Sequence, residues 1–256
     1  MDASWAAGVP WVHVAATGID LVPRRLLLGR TAVTGSAGVS AHTIAEFALT
    51  MILAAEKDVP RIWDRSVARA DFALGSLEDR TVGVVGFGAI GRRVAAMARA
   101  FDARVLATRR SPLADPGADG IVLVPIEDVL RQADHLVLAV PATPETRGMI
   151  GRRALAMVRP GLHIVNVARG ELIDHDALVD ALAAGAVGRA SLDVTEPEPL
   201  PEGHALLGDP RVRISSHLAW MSDRAQGVAI ERFIANLHRW MDGRDLEGLV
   251  DPERGC

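Results

Sequence analysis

A single cysteine stands in this chain of 256 residues, and it is the last residue, Cys256. That excludes a disulfide framework or a thiolate metal cluster within one chain and fits a reducing compartment. An excess of positive charge is also lacking. Twenty-eight Lys and Arg against 32 Asp and Glu give a net charge of −4, which leaves no electrostatic footprint for a nucleic acid or an anionic membrane. No apolar run approaches the length that spans a bilayer. The opening "MDASWAAGVPWVHVAATG" has neither a basic n-region nor a sustained apolar core, so it does not read as a signal peptide, and the expected compartment is the cytoplasm. Lysine is nearly absent (Lys57 alone), a bias that reads as genomic composition before function. What remains, 49% hydrophobic and 23% charged, is an ordinary globular composition, long enough for one large domain or two moderate ones.

From about Thr81 to Ser216, short apolar runs alternate with helical patterns, the mark of stacked β-α units and a parallel sheet. The runs are "TVGVVG" (81–86), "RVLAT" (104–108), "IVLV" (121–124), "HLVLAV" (135–140), "LHIVNVA" (162–168), "RASLDV" (189–194) and "RVRISS" (211–216). Several are apolar at successive positions, as strands covered on both faces should be. Between them lie helical stretches such as 89–101 and the one that follows Asp176 and stops at Gly185. Outside this block, "WVHVAA" and "TAVTG" read as short strands. Residues 40–59 read as an amphipathic or wholly buried helix capped by Ser40, and 222–243 as a helix capped by Ser222 and stopped by Gly243. The expected architecture is α/β. A dinucleotide-type domain spans 72–219, and a smaller lobe is built from both chain ends, 1–71 with its linking helix and 220–256.

"VGVVGFGAIGRRVAAMA" places Gly86, Gly88 and Gly91 after a strand and at the mouth of a helix, with Ala89 and Ile90 in its first turn. The glycines provide a tight turn, close backbone approach to a pyrophosphate, and close helix–strand packing. The helix N-terminus offers N–H groups and partial positive charge to the phosphates. This is the fingerprint of a Rossmann domain. In such domains that bind NAD, an acid after the second strand accepts from the ribose hydroxyls. Here the strand ends "VLATRRSP", and the acid's place, eighteen residues beyond Gly91, holds Arg109. Arg109 and Arg110 can pair with a 2′-phosphate that a carboxylate would repel, and Thr108 and Ser111 can add hydroxyls. NADP(H) is therefore expected over NAD(H), with NAD(H) as the lesser cofactor.

Three successive strand ends deliver Arg169 ("NVARGELID"), an acid ("DVTEPEPLP") and His217 ("ISSHLAW") to the carboxyl edge of the sheet. For a 2-oxo acid the combination makes chemical sense. A guanidinium clamps the carboxylate and polarises the ketone, and an imidazolium protonates the oxygen as hydride arrives. A carboxylate behind the imidazole would orient it and favour its protonated form. Trp220 lies close in sequence to His217, where it either walls the substrate pocket or packs against the last helix. Asp174 and Asp176, beside His175, read as first-turn helix acids rather than metal ligands, and no metal is expected.

With these motifs in place the chain resembles the D-isomer-specific 2-hydroxyacid dehydrogenase family, from "VPWVHVAATGID" through "GFGAIG", "VPATPETRGMI", "NVARGELID", "LDVTEPEPLP" and "ISSHLAW". It looks closest to the glyoxylate/hydroxypyruvate reductase branch, with its similar "LDV-x-x-PEPLP" stretch and an arginine in place of the ribose acid. The resemblance implies that Arg169 binds substrate and His217 is the acid/base. It makes Glu198, five residues after Asp193, the paired acid, with Glu196 a bystander, and gives Asp193 to the nicotinamide. It also places Thr17 and Gly18 at the substrate carboxylate, and Pro141 and Thr143 over the cofactor's ribose and phosphates. A homodimer is the implied assembly. Members usually carry two further β-α units ahead of the stretch matching "VPWVHV", so the smaller lobe is expected to be an incomplete flavodoxin-like unit with an exposed sheet edge.

Overall fold

The computed structural model of the chain describes residues 8–16, 18, 22–59, 61–110 and 121–251. In chain order its named strands and α-helices are β1 (Trp11–Val14), α1 (Arg24–Leu27), β2 (Ala32–Gly35), α2 (Ala41–Glu56), β3 (Thr81–Val85), α3 (Ala89–Ala100), β4 (Arg104–Thr108), β5 (Val122–Leu123), α4 (Ile126–Gln132), β6 (His135–Leu138), α5 (Arg152–Leu155), β7 (Leu162–Asn166), α6 (His175–Ala183), β8 (Val187–Leu192), α7 (Ala205–Gly208), β9 (Val212–Ile214) and α8 (Ala225–Met241). The chain divides into two compact units. One is 1–43 with 220–256, and the other is 44–219.

The larger unit is built on a parallel sheet in the order β5-β4-β3-β6-β7-β8-β9 among the described residues. From β3 the chain steps outward through β4 and β5, then returns to lay β6 on the other side of β3. That reversal makes the carboxyl ends of β3 and β6 the crevice where sheets of this kind take ligands. The central runs β3, β6 and β7 are buried at every position because these strands are covered on both faces. Alternate residues go opposite ways. Val82 and Val84 of β3, Val105 and Ala107 of β4, Val137 of β6 and Val165 of β7 join one core cluster. Val85, Leu106, Leu136, Leu138, Leu162 and Ile164 join the other. Gly83 lets α4 lie close, since a Cβ there would sit 2.5 Å from Val129 Cγ1.

The helix expected at 40–59 is amphipathic rather than wholly buried. Ile44, Ala45, Ala48, Leu49 and Ile52 face the core while Glu46 and Thr50 are exposed. It ends at Glu56, short of 59, because Asp58 turns into the left-handed region at φ 51°.

In the smaller unit β1 and β2 pair in parallel, and Leu249 bridges antiparallel to Thr34. Trp11 stacks on Phe233 and Trp240 of α8, with ring centroids 5.7 and 6.0 Å away. The Ser222 cap is not realised. Helix α8 begins three residues later behind Arg224, which makes no side-chain cap, and Ser222 Oγ instead accepts from Thr43 Oγ1 at 3.4 Å. Gly243, at φ 66°, does follow the end of α8.

Candidate active site

At the end of β3, Gly86 adopts φ 102°, and its N–H donates to Thr108 O at 3.0 Å. A side chain here would meet Ala139 O at 2.4 Å, and one on Gly91 would meet Gly86 O at 1.9 Å. Those two glycines close the turn against β6 and α3. Gly88 differs: a Cβ built on it meets nothing within 4 Å. It forms the N-cap of α3 without a side-chain cap, and Ala89 behind it is exposed, with Ile90 half-buried. An open cradle on bare helix N–H groups is what a pyrophosphate requires, so the residues present fit a dinucleotide. Thr108 ends β4 half-buried, and Arg109 and Arg110 follow it fully on the surface. Ser111 lies outside the described residues.

Beyond β6 the "VPATPET" loop folds on itself. Thr146 Oγ1 donates to Pro141 O at 2.7 Å and accepts from Thr143 N at 2.8 Å. Glu145 on the same loop is held below the usual carboxylate range, first by a hydrogen bond from the Thr143 side chain and least by the charge of Arg110.

Three loops at the ends of β7, β8 and β9 are knitted together. Asn166, fully buried at the end of β7, accepts from Ala168 N at 3.1 Å and donates to Arg169 O at 2.8 Å, which fixes the turn that presents Arg169 half-buried. Gly170 then lies against the next loop backbone to backbone, because a Cβ there would fall 2.0 Å from the carbonyl carbon of Thr195. From that second loop Glu198 Oε1 reaches His217 Nδ1 at 2.9 Å, with both side chains 41% exposed. The peptide bonds before Pro197 and Pro199 are cis. Glu196 stands exposed on the turn.

His217 sits at φ 57°, a conformation L-residues adopt only when the surroundings hold it. The holder is Asp193, which is 2% exposed. Its Oδ1 accepts from Ser215 Oγ at 2.6 Å and Leu218 N at 2.8 Å, and its Oδ2 accepts from Ala219 N at 2.9 Å. His217 N donates to the Asp193 carbonyl at 2.9 Å. The structure thus joins Glu198 to His217, Asp193 to the His217 loop, and the Arg169 loop to the Glu198 loop. The other expected substrate residues belong to the smaller unit, where Gly18 is half-buried and Trp220 is 41% exposed, while Thr17 lies outside the described residues.

Sequence reasoning missed Asn166, Ser215 and the holding role of Asp193. A polar residue ending an apolar strand, as in "LHIVNV" and "ASLDV", is the signal that could have marked two of them. His175 opens α6, and its pKa is lowered by burial first and by His204 second. Asp174 caps that helix by accepting from Ala177 N at 3.0 Å, and Asp176 lies in its first turn. Among the described residues no three His, Cys, Asp or Glu side chains come together as a metal site requires.

Residues 49–219 match the family model described as "D-isomer specific 2-hydroxyacid dehydrogenase, NAD binding domain". The chain belongs to that family. A D-3-phosphoglycerate dehydrogenase of Mycobacterium tuberculosis is 36% identical over 240 residues, covering 90% of this chain and 45% of the relative. The chain therefore spans less than half the length of that relative. A glyoxylate reductase of Korarchaeum cryptofilum is 33% identical over 233 residues, 86% of this chain and 69% of its own. Among solved structures, a D-isomer specific 2-hydroxyacid dehydrogenase from Xanthobacter autotrophicus Py2, in complex with NADPH and MES, superposes with a TM-score of 0.86 at 29% identity, over 96% of this chain and 79% of that one. No helix among the described residues is long and apolar enough to cross a membrane.

Proposed function

We propose that this chain reduces a small 2-oxo acid to the 2-hydroxy acid, with glyoxylate or hydroxypyruvate as leading substrates and NADP(H) preferred over NAD(H). The observation that carries the reading is the Glu198–His217 pair. Nδ1 of the imidazole is occupied by the carboxylate at 2.9 Å, which leaves Nε2 as the atom that holds and releases the proton. Asp193 and the left-handed turn set the direction of that ring, so the proton donor is positioned before substrate arrives.

In this reading Arg169 binds the substrate carboxylate and draws charge from the ketone. Backbone N–H groups of the Thr17–Gly18 stretch take the other side of the carboxylate, and Trp220 walls the pocket. His217 gives its Nε2 proton to the ketone oxygen, and Glu198 stabilises the imidazolium before transfer. The helix mouth at Gly88, Ala89 and Ile90 holds the pyrophosphate, Pro141 and Thr143 flank the cofactor ribose, and Arg109, Arg110, Thr108 and Ser111 take the 2′-phosphate. Asp193 uses three of the roughly four acceptor positions of a carboxylate, and the remaining one on Oδ2 suits a carboxamide N–H. The chemistry supplied by the bound nicotinamide is hydride donation to the keto carbon. A 72–219 cofactor domain and a homodimer belong to the same proposal.

Steady-state reduction of glyoxylate, hydroxypyruvate and bulkier 2-oxo acids with NADPH and NADH tests it. Turnover on the small acids with a higher kcat/KM for NADPH is expected. Saturable NADPH binding without turnover on any 2-oxo acid would instead make the chain a non-catalytic dinucleotide-binding module.

A further inference from the structure

A second histidine–carboxylate contact lies at the opposite, amino end of the sheet and plays no part in the proposed reaction. Glu56 is the last residue of α2. Its Oε1 accepts from Arg80 Nε at 2.9 Å and lies 3.0 Å from Nε2 of His135, the first residue of β6. His135 Nδ1 is 3.0 Å from Nδ1 of His163, its register partner on β7. His163 Nε2 is 3.0 Å from Ser191 Oγ on β8. Both histidines are 3% exposed and Ser191 is 8% exposed. Gly75 closes over the carboxylate, since a Cβ there would fall 1.7 Å from Glu56 Oε2. One unbroken line of polar atoms thus crosses three strands and ends on a helix terminus.

We propose that Glu56, His135, His163 and Ser191 form a one-proton switch, with two self-consistent hydrogen-bonding patterns that differ by a single proton. An ionised Glu56 only accepts, so His135 Nε2 carries a hydrogen in both patterns. When His135 is neutral its Nδ1 is an acceptor. His163 must then donate from Nδ1, and the Ser191 hydroxyl donates to His163 Nε2. On acidification His163 passes its Nδ1 hydrogen to His135 Nδ1, which becomes the donor, and the one proton taken from solvent ends on His163 Nε2. His163 Nδ1 now accepts, and Nε2 donates to Ser191 Oγ, whose own hydrogen turns away. His163 stays neutral throughout and changes only its tautomer. Two charged rings would set N–H against N–H across 3.0 Å, so the folded pair holds at most one extra proton.

The surroundings disfavour charge on His163. Facing the line are Glu56 and Arg80 at one end and Arg189 of β8 at the other, with Asp79 and Asp134 acting on Arg80. Burial first, then His135 and Arg189, push His163 down to about 3. Burial works to raise the Glu56 carboxyl, but hydrogen bonds from His135 and Arg80 outweigh it and hold it at about 2. The device fastens the end of α2 to the sheet, and acidification turns the Glu56–His135 contact from a hydrogen bond into an ion pair.

Long-range proton–nitrogen NMR on the imidazole rings of the full ¹⁵N-labelled chain, followed from neutral to acidic pH, reads the switch directly. The expected result is His163 protonated at Nδ1 when His135 is neutral, changing to Nε2 over the same pH interval in which His135 becomes charged. Glu56→Gln removes the counter-charge and should move that interval to lower pH. A His163 that starts protonated at Nε2, that becomes charged together with His135, or that keeps one tautomer while His135 titrates would overturn the proposal. So would a His135 that stays neutral until the chain unfolds. Should Glu56→Gln fail to fold, the wild-type spectra decide alone.

Discussion

Two histidine–carboxylate contacts of nearly equal length occupy opposite ends of one sheet. His217–Glu198 spans 2.9 Å with both side chains 41% exposed, and His135–Glu56 spans 3.0 Å with side chains 3% and 9% exposed. Contact geometry is shared and access is not. The first ring sits on a loop, and among the described residues only its Nδ1 is engaged, by Glu198. The second has both nitrogens engaged, by Glu56 and His163, and is 3% exposed, so its proton is placed to serve the fold. Burial, more than the presence of a partner, separates the histidine proposed to react from the one that only holds the fold.

The sharpest way to break this contrast is to remove each ring or its partner and ask what is lost. His217→Gln should lower kcat by roughly 10²–10⁴-fold, the usual worth of a positioned acid, with the urea midpoint nearly unchanged because the side chain is exposed. Glu56→Ala should do the reverse. It strands Arg80 and His135 without their carboxylate and should cost about 3 kcal/mol in urea unfolding, while the folded fraction keeps its kcat. If Glu56→Ala instead cut kcat without cost in stability, the division of labour would be wrong.

Acidification probes the buried end, together with His13 and His175, whose pKa values burial also lowers. A group held below its unfolded value supports the fold above that value and gives up the support as pH falls toward its folded value. For His163 the window runs from about 6.5 down to about 3. For Glu56 it runs from about 4.5 down to about 2. Both act in one direction, so stability falls as pH is lowered, beginning near 6.5. Urea titrations at pH 7 and pH 5 should show the lower midpoint at pH 5, and His163→Gln should flatten that difference. The smallest effect sharpens the cofactor reading. Arg109→Ala with Arg110→Ala should raise the KM for NADPH roughly tenfold and leave that for NADH within about twofold, as exposed charge pairs allow.

The sequence made the sheet legible because its strands are apolar on both faces and separated by glycine-marked turns. "GFGAIG" placed the phosphate turn for a related reason: its first and third glycines answer steric demands that the structure repeats at Gly86 and Gly91, while Gly88 faces open space. The pairing of Glu198 with His217 was readable only through the family pattern, since nineteen residues and a strand separate them. The amino-end line was not readable at all. Its members are 28 to 79 residues apart, and only the parallel register of β6 on β7 sets His135 beside His163. The Ser222 cap failed because a serine ahead of a helical pattern is a local signal, and α8 starts later than the pattern does.

The most direct measurement is single-turnover hydride transfer from NADPH to glyoxylate, followed by loss of NADPH absorbance, in wild type and His217→Gln at saturating cofactor. Wild type should transfer rapidly, with the variant slower by at least about a hundredfold. A variant that transfers at the wild-type rate would contradict the assignment of His217 as the proton donor.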